Sequence, residues 1–85
     1  PAAYPEVIAV GAHDLDYQLT DYSASGSNLD LTAPGGDDNK VYSTWGYYEN
    51  GQVYHRYGYG TGTSLAAAHV SGTAALLLES GFSAS

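Results

Sequence analysis

The sequence predicts an α/β fold, and three observations carry this prediction. Residues 7–10 are a continuous apolar run, and a strand that is apolar on both faces is typical of a buried parallel sheet. Two aromatic segments flank Asn50 and Gly51, a dipeptide that strongly favours a β-hairpin. Residues 65–78 are almost wholly apolar and follow a glycine-rich stretch, which predicts a helix.

Composition limits both the size of the domain and its partners. The chain has 85 residues and no cysteine, so it forms at most one small domain without disulfides or thiolate metal sites. Its net charge is -7, with Lys40 and Arg56 as the only lysine and arginine. Nucleic acids and anionic membrane surfaces are therefore disfavoured as partners, while cations are attracted. No apolar run is long enough to span a membrane.

The first half of the chain alternates between short strands and turns. A strand is predicted over residues 7–10 and a polar loop over residues 13–22. The cluster "SASGSN" predicts a turn. A second short strand, "LDLTAP", should stop at Pro34 and Gly35, and "GGDDNK" predicts a further turn.

The hairpin segments "VYSTWGYY" and "QVYHRYGY" are rich in aromatic residues. Such a cluster could bind carbohydrate or peptide, because aromatic faces stack on sugars and prolines. Cross-strand pairing within a hairpin favours the same residues and is the preferred interpretation. The cluster consists of Tyr42, Trp45, Tyr47, Tyr48, Tyr54, Tyr57 and Tyr59. The hairpin leads directly into Ser64. If Ser64 belongs to a substrate-binding cleft, we expect the hairpin to form one border of that cleft.

The predicted helix is apolar around nearly its whole circumference. Between residues 65 and 78 the polar side chains are only His69, Ser71 and Thr73. A helix of this kind has to be surrounded by protein. Two strands and a hairpin cannot surround it, so the sequence predicts that part of the core comes from additional chain.

Ser64, directly before this helix, has two interpretations. Serine is a favoured N-cap residue, so Ser64 could simply cap the helix. It could also be a nucleophile, because unpaired backbone N–H groups at a helix start can stabilise an oxyanion. Its surroundings do not match the Gly-x-Ser-x-Gly elbow, since Ala66 stands where the second glycine is needed.

A nucleophilic serine needs a base within hydrogen-bonding distance. On an ideal helix His69 points about 140° away from Ser64 and lies about 7.5 Å further along the axis, so it cannot serve. Spacing alone does not exclude His13 or His55, although nothing local positions either one. The chain therefore offers a candidate nucleophile without a convincing base.

Three ordered motifs resemble the subtilisin-like serine proteases (subtilases, peptidase family S8). "GTSLAAAHVSGTAALLL" resembles the active-site serine block of that family. "YPEVIAVGA" and "DYSASGSNLDLTAPG" resemble two segments that precede the block, in the same order. The resemblance covers nearly the whole chain. Ala68 departs from it by replacing a usual proline, and Leu65 by replacing a methionine; the hairpin region is also longer than usual.

The resemblance implies a three-layer subtilisin-like α/β fold with a parallel sheet. Residues 1–85 would be the C-terminal portion of one catalytic domain, namely strands, a β-hairpin and the buried serine helix. The implied activity is that of a serine endopeptidase that forms an acyl-enzyme on Ser64. The triad Asp and His would come from upstream sequence, so this portion alone should be inactive.

The resemblance also assigns roles to residues near Ser64. The Ser64 N–H corresponds to the main-chain half of the oxyanion hole, and the Thr63 hydroxyl to a more distant support. Thr61 and Tyr22 correspond to residues beside the leaving-group side of the substrate. His69 corresponds to a structural histidine, in agreement with the helix geometry.

A weak calcium or monovalent-cation site is implied as well, although no cofactor is expected in catalysis. Its ligands would be the carbonyls of Ala2, Tyr4 and Val7 and the carboxylate of Asp30, all of them hard oxygen ligands. Alternatively, Asp30 caps a turn or pairs within the sheet.

The expected partners are protein or peptide substrates and the remainder of the catalytic domain, and the expected location is extracellular. A different class of function remains open: a non-catalytic, degenerate subtilase or a tyrosine-rich binding module. Asp-x-Gly and His-Gly-Thr motifs upstream of Pro1 would favour the protease.

Overall fold

The computed structural model describes residues 2–84 and contains four strands and one helix. The elements are β1 (Val10–His13), β2 (Leu31–Pro34), β3 (Val41–Glu49), β4 (Gln52–Gly60) and α1 (Thr63–Glu79). Strands β1 and β2 form one sheet, β3 and β4 form another, and α1 packs on the first sheet. The α/β class is confirmed, with one sheet layer and one helical layer in the range described.

The core is small and is built from alanines. Strands β1 and β2 pair in parallel, as predicted, with Ala12 opposite Ala33. Ala66 of α1 is fully buried against these two residues, and Val10 and Val70 pack around them. Short side chains at all three central positions let the helix approach the sheet closely, which holds the start of α1 near the carboxyl ends of both strands.

The predicted position of the first strand is wrong by three residues, because β1 begins at Val10 instead of residue 7. Val7 closes a turn by donating its N–H to the carbonyl of Tyr4 at 3.1 Å. The N–H of Ala9 donates to the Asp30 carboxylate at 2.7 Å, so the ladder starts only after that residue. Ile8 is 62% exposed. The apolar run is therefore not a strand that is buried on both faces by residues 2–84.

The hairpin prediction is confirmed. Strands β3 and β4 pair in antiparallel register, with Glu49 opposite Gln52. The two turn residues have positive φ angles, 51° for Asn50 and 80° for Gly51. A two-residue turn with both angles positive is the type that matches the twist of the strands.

Helix α1 spans 17 residues and leaves most of its apolar surface uncovered. Only Ala66 is buried, whereas Leu76 is 70% exposed and Leu77 and Leu78 are about half exposed. The described part of the chain therefore does not surround this helix, in line with the prediction that additional protein must cover it. Among residues 2–84, no helix is both long and apolar enough to cross a membrane.

Candidate active site at the start of helix α1

The helix begins on a glycine, Gly62, so the interpretation of Ser64 as its N-cap is excluded. Gly62 occupies the cap position with φ 152° and ψ 158°, a conformation that glycine adopts far more readily than other residues. The N–H groups of Leu65 and Ala66 donate to the Gly62 carbonyl at 3.1 and 3.3 Å. Ser64 is therefore the second helical residue, inside the first turn.

This arrangement leaves the Ser64 hydroxyl and the adjacent N–H groups free. The Ser64 side chain is exposed, and its Oγ has no hydrogen-bond partner within residues 2–84. The N–H groups of Thr63 and Ser64 likewise meet no acceptor in that range, as expected for the first turn of a helix. A β-carbon at Gly62 would lie 3.5 Å from Ser64 Oγ, so its absence keeps one approach to the hydroxyl open.

A loop after β2 fixes the position of the helix start. The N–H of Gly62 donates to the Gly35 carbonyl at 2.8 Å. A β-carbon at Gly35 would lie 2.6 Å from Cβ of Ala12 and 2.7 Å from the Gly62 carbonyl oxygen. Only glycine fits between the sheet and the helix start at this point. Ser64 is consequently held at the carboxyl end of the parallel strands, where α/β proteins commonly bind their ligands.

Tyr22 and Thr61, predicted beside the leaving-group side of the substrate, lie at the same loop. The Tyr22 hydroxyl donates to the Gly36 carbonyl, and it would lie 2.7 Å from a β-carbon at Gly35. Cγ2 of Thr61 would lie 3.2 Å from a β-carbon at Gly36. The loop residues Gly35 and Gly36 thus connect both side chains to the start of α1.

We expect the Tyr22→Phe variant to lower the free energy of unfolding by about 1 kcal/mol, since it removes one hydrogen bond to a partly buried carbonyl. Denaturant unfolding of the complete protein measures this change. Tyr17→Phe is the matched control, because Tyr17 is 84% exposed. An equal, negligible effect of both substitutions would contradict a role for Tyr22 in holding the loop.

No histidine of the described chain contacts Ser64. The Nδ1–H of His69 donates to the Leu65 carbonyl at 3.0 Å, one helical turn earlier, which supports a structural role. His13 bonds Thr32 through Nδ1 at 2.8 Å. His55 is exposed on β4 opposite Gly46. Within residues 2–84, no histidine is therefore placed to act as a base toward Ser64.

The four residues predicted to bind a cation lie before β1 and β2. The Tyr4 carbonyl accepts the Val7 N–H, and Asp30 Oδ2 accepts the Ala9 N–H. The Asp30 carboxylate thus caps the start of the first sheet, as the alternative interpretation expected, and its second oxygen has no hydrogen-bond partner within residues 2–84. Carbonyl and carboxylate oxygens suit calcium chemically. No cluster of three or more His, Cys, Asp or Glu side chains able to hold a metal occurs in the described range.

Sequence reasoning missed two residues that shape the site, Gly35 and Gly62. Both stand next to other turn-forming residues, in "APGG" and "GTGTS", where glycine is expected for local reasons. Their importance comes from the contact between them, which joins segments 27 residues apart in sequence. No local pattern encodes that contact.

Comparison with known proteins found related sequences. The model of the subtilase family matches residues 1–84. The chain is 43% identical over 77 residues to the major intracellular serine protease of Bacillus subtilis, covering 91% of this chain and 21% of that protein. It is 43% identical over 79 residues to subtilisin E of Bacillus subtilis, covering 93% of this chain and 18% of that protein. It is 44% identical over 78 residues to halolysin of Haloferax mediterranei, covering 92% of this chain and 13% of that protein.

The chain spans only about a fifth or less of the length of these relatives. No solved structure gave a significant match.

Proposed function

Because the chain belongs to the subtilase family, we propose that it is the part of a serine endopeptidase that carries the nucleophile. The observation that supports this proposal is the exposed Ser64 hydroxyl in the first turn of α1. It lies next to N–H groups that have no hydrogen-bond acceptor among the described residues. A hydroxyl in that position can attack a carbonyl whose developing negative charge falls beside those donors.

In the proposed reaction, Ser64 Oγ attacks the carbon of the scissile peptide bond while a histidine from the rest of the protein takes its proton. The Ser64 N–H donates to the oxyanion, and the Thr63 hydroxyl supports it from a greater distance. The C–N bond then breaks, the leaving amine takes the proton from the histidine, and an acyl ester remains on Ser64. Water attacks this ester by the same route and releases the acid.

The remainder of the proposed three-layer domain would complete both the core and the triad. The apolar side chains of α1 that are exposed among residues 2–84 offer one surface for it. The edge of β1 that does not face β2 is already occupied at its C-terminal end, because His13 bridges Leu19 and Ala12 bonds Thr20 and Ser23. Residues 1–85 would then form the C-terminal part of a single catalytic domain.

Proteins or peptides are the proposed substrates, and an extracellular location is proposed with them. One of the relatives carries the name of an intracellular protease, so secretion is tested separately, by locating the protein in its native cells. The net charge of -7 supports the proposal that nucleic acid is not a partner.

The test is hydrolysis of an unfolded protein substrate by the complete protein, before and after treatment with a fluorophosphonate. We expect cleavage that the reagent abolishes. Absence of cleavage, together with absent Asp-x-Gly and His-Gly-Thr motifs upstream, would instead support a non-catalytic subtilase or a tyrosine-rich binding module.

We also propose that Asp30 helps to hold a weakly bound calcium or monovalent cation together with the carbonyls of Ala2, Tyr4 and Val7. The Asp30→Asn variant separates this role from capping, because an amide oxygen can still accept the Ala9 N–H. We expect added calcium to raise the melting temperature of the complete wild-type protein and to raise that of the variant less. An equal response of both proteins would contradict a ligand role for Asp30.

A further inference from the structure

The hairpin of β3 and β4 carries aromatic rings on both of its faces, and the two faces differ in the contacts that these rings make. On one face, here called the tyrosine face, Tyr42 lies against Tyr57 and Tyr59 with ring centroids 5.6 and 4.8 Å apart. On the other, here called the indole face, Tyr47 stacks on Tyr54 at 5.0 Å. Cross-strand pairing accounts for these tyrosines.

Pairing does not account for Trp45 on the indole face. Its ring has no aromatic partner within residues 2–84 and lies instead across Gly58 and Gly60 of the neighbouring strand. A β-carbon at Gly58 would lie 3.4 Å from Cγ and Cδ2 of Trp45. Two positions without side chains thus make room for the indole, which remains 52% exposed.

The indole lies near the side chain of Leu65 at the start of α1. A β-carbon at Gly60 would lie 3.4 Å from Cζ3 of Trp45 and 3.5 Å from Cδ1 of Leu65, the residue that follows Ser64. Strand β4 ends at Gly60, and only three residues separate its end from Ser64. The indole face is therefore adjacent to the first turn of α1.

A positive charge lies on the same face. Arg56 is the direct cross-strand neighbour of Trp45, and its guanidinium lies over the Tyr54 ring at 5.6 Å. It makes no ion pair within the described range, although the chain has nine acidic residues. The indole face thus combines an exposed apolar ring with a cation that its own chain leaves without a carboxylate.

We propose that Trp45 and Arg56 form a subsite for the leaving-group side of peptide substrates, a step that rests on the proposed endopeptidase function. The indole takes an aromatic side chain close to the scissile bond, and Arg56 pairs with an acidic residue further along the peptide. Thr61, which follows β4 directly, corresponds by the family resemblance to a residue on this side of Ser64.

The test uses three substrates of the complete protein that share one acyl side. One peptide carries phenylalanine and glutamate among the three residues after the scissile bond, and a second carries alanine and glutamine there. The third is a peptidyl methyl ester, which has neither a residue nor an aromatic ring after the scissile bond. The ratio of kcat/KM for the two peptides measures preference on the leaving-group side, while the methyl ester measures turnover without contacts on that side.

We expect Trp45→Ala to reduce the preference for the first peptide about fivefold, the usual size of an aromatic stacking effect. Trp45→Phe should restore part of it. Arg56→Gln should reduce the preference about threefold at low salt and less at high salt. Tyr57→Ala, on the tyrosine face, is the matched control and should leave the preference unchanged. All variants should hydrolyse the methyl ester like the wild type.

The possible failures are distinguishable. If the wild type and Trp45→Ala hydrolyse the methyl ester and show the same peptide preference, the subsite is overturned while the endopeptidase function stands. If the wild type hydrolyses none of the three substrates, the proposed function is overturned and the subsite with it.

Discussion

The Ser64→Ala variant of the complete protein should lose at least about 10⁴-fold in kcat/KM for peptide hydrolysis, because it removes the atom that forms the acyl-enzyme. The same change should leave thermal unfolding unchanged or raise its midpoint slightly. The hydroxyl is exposed and has no hydrogen-bond partner in the described chain, and alanine is the better helix former. Steady-state kinetics and a melting curve on one preparation measure both effects.

The matched control for this prediction is Ser71→Ala. Ser71 also lies on α1 and is also exposed among residues 2–84, but it lies two turns beyond the helix start. We expect it to retain activity close to that of the wild type. Retained hydrolysis in Ser64→Ala would exclude Ser64 as the nucleophile, whatever the control shows.

We expect the Gly35→Ala variant to be the least stable of the single-residue variants around the site. The new methyl group would meet Cβ of Ala12 at 2.6 Å and the Gly62 carbonyl oxygen at 2.7 Å, and neither can move without shifting backbone. We expect a loss of roughly 3 kcal/mol in the free energy of unfolding. Activity should also fall, by about 10²-fold, because the Gly62 N–H bond to Gly35 positions the first turn of α1.

The Gly26→Ala variant is the control for this prediction, because it strains the backbone conformation without creating a steric clash. Gly26 has a positive φ of 127°, but a β-carbon there would have no neighbour within 4 Å. We expect it to cost about 1 kcal/mol through backbone strain and to leave catalysis intact. Denaturant unfolding and kcat/KM compare the two variants. Equal stability and equal activity would contradict the steric role of Gly35.

Elements defined by local chemistry could be predicted from the sequence. The hairpin followed from Asn50 and Gly51, because a two-residue turn needs left-handed conformations that these residues adopt. The helix was correct to within two residues at its start. The sequence left open whether Ser64 caps the helix, because serine and glycine both suit a helix entry, and the close contact of Gly62 with Gly35 decides between them.

Features that depend on contacts between distant segments could not be predicted. The apolar run before β1 suggested a buried strand, but Asp30 caps Ala9 and moves the start of the ladder to Val10. The family resemblance predicted roles for Ser64 and Tyr22, whereas the contacts of the loop beside them depend on the packing of Gly35. Trp45 was placed in a paired aromatic cluster, whereas its ring lies on two glycines instead.

Acylation of Ser64 is the central claim, and mass spectrometry of the fluorophosphonate-treated complete protein tests it most directly. We predict one covalent adduct per chain, located by fragmentation on Ser64 and absent from the Ser64→Ala variant. An adduct on another residue, or no adduct in a protein that still hydrolyses peptides, would contradict it.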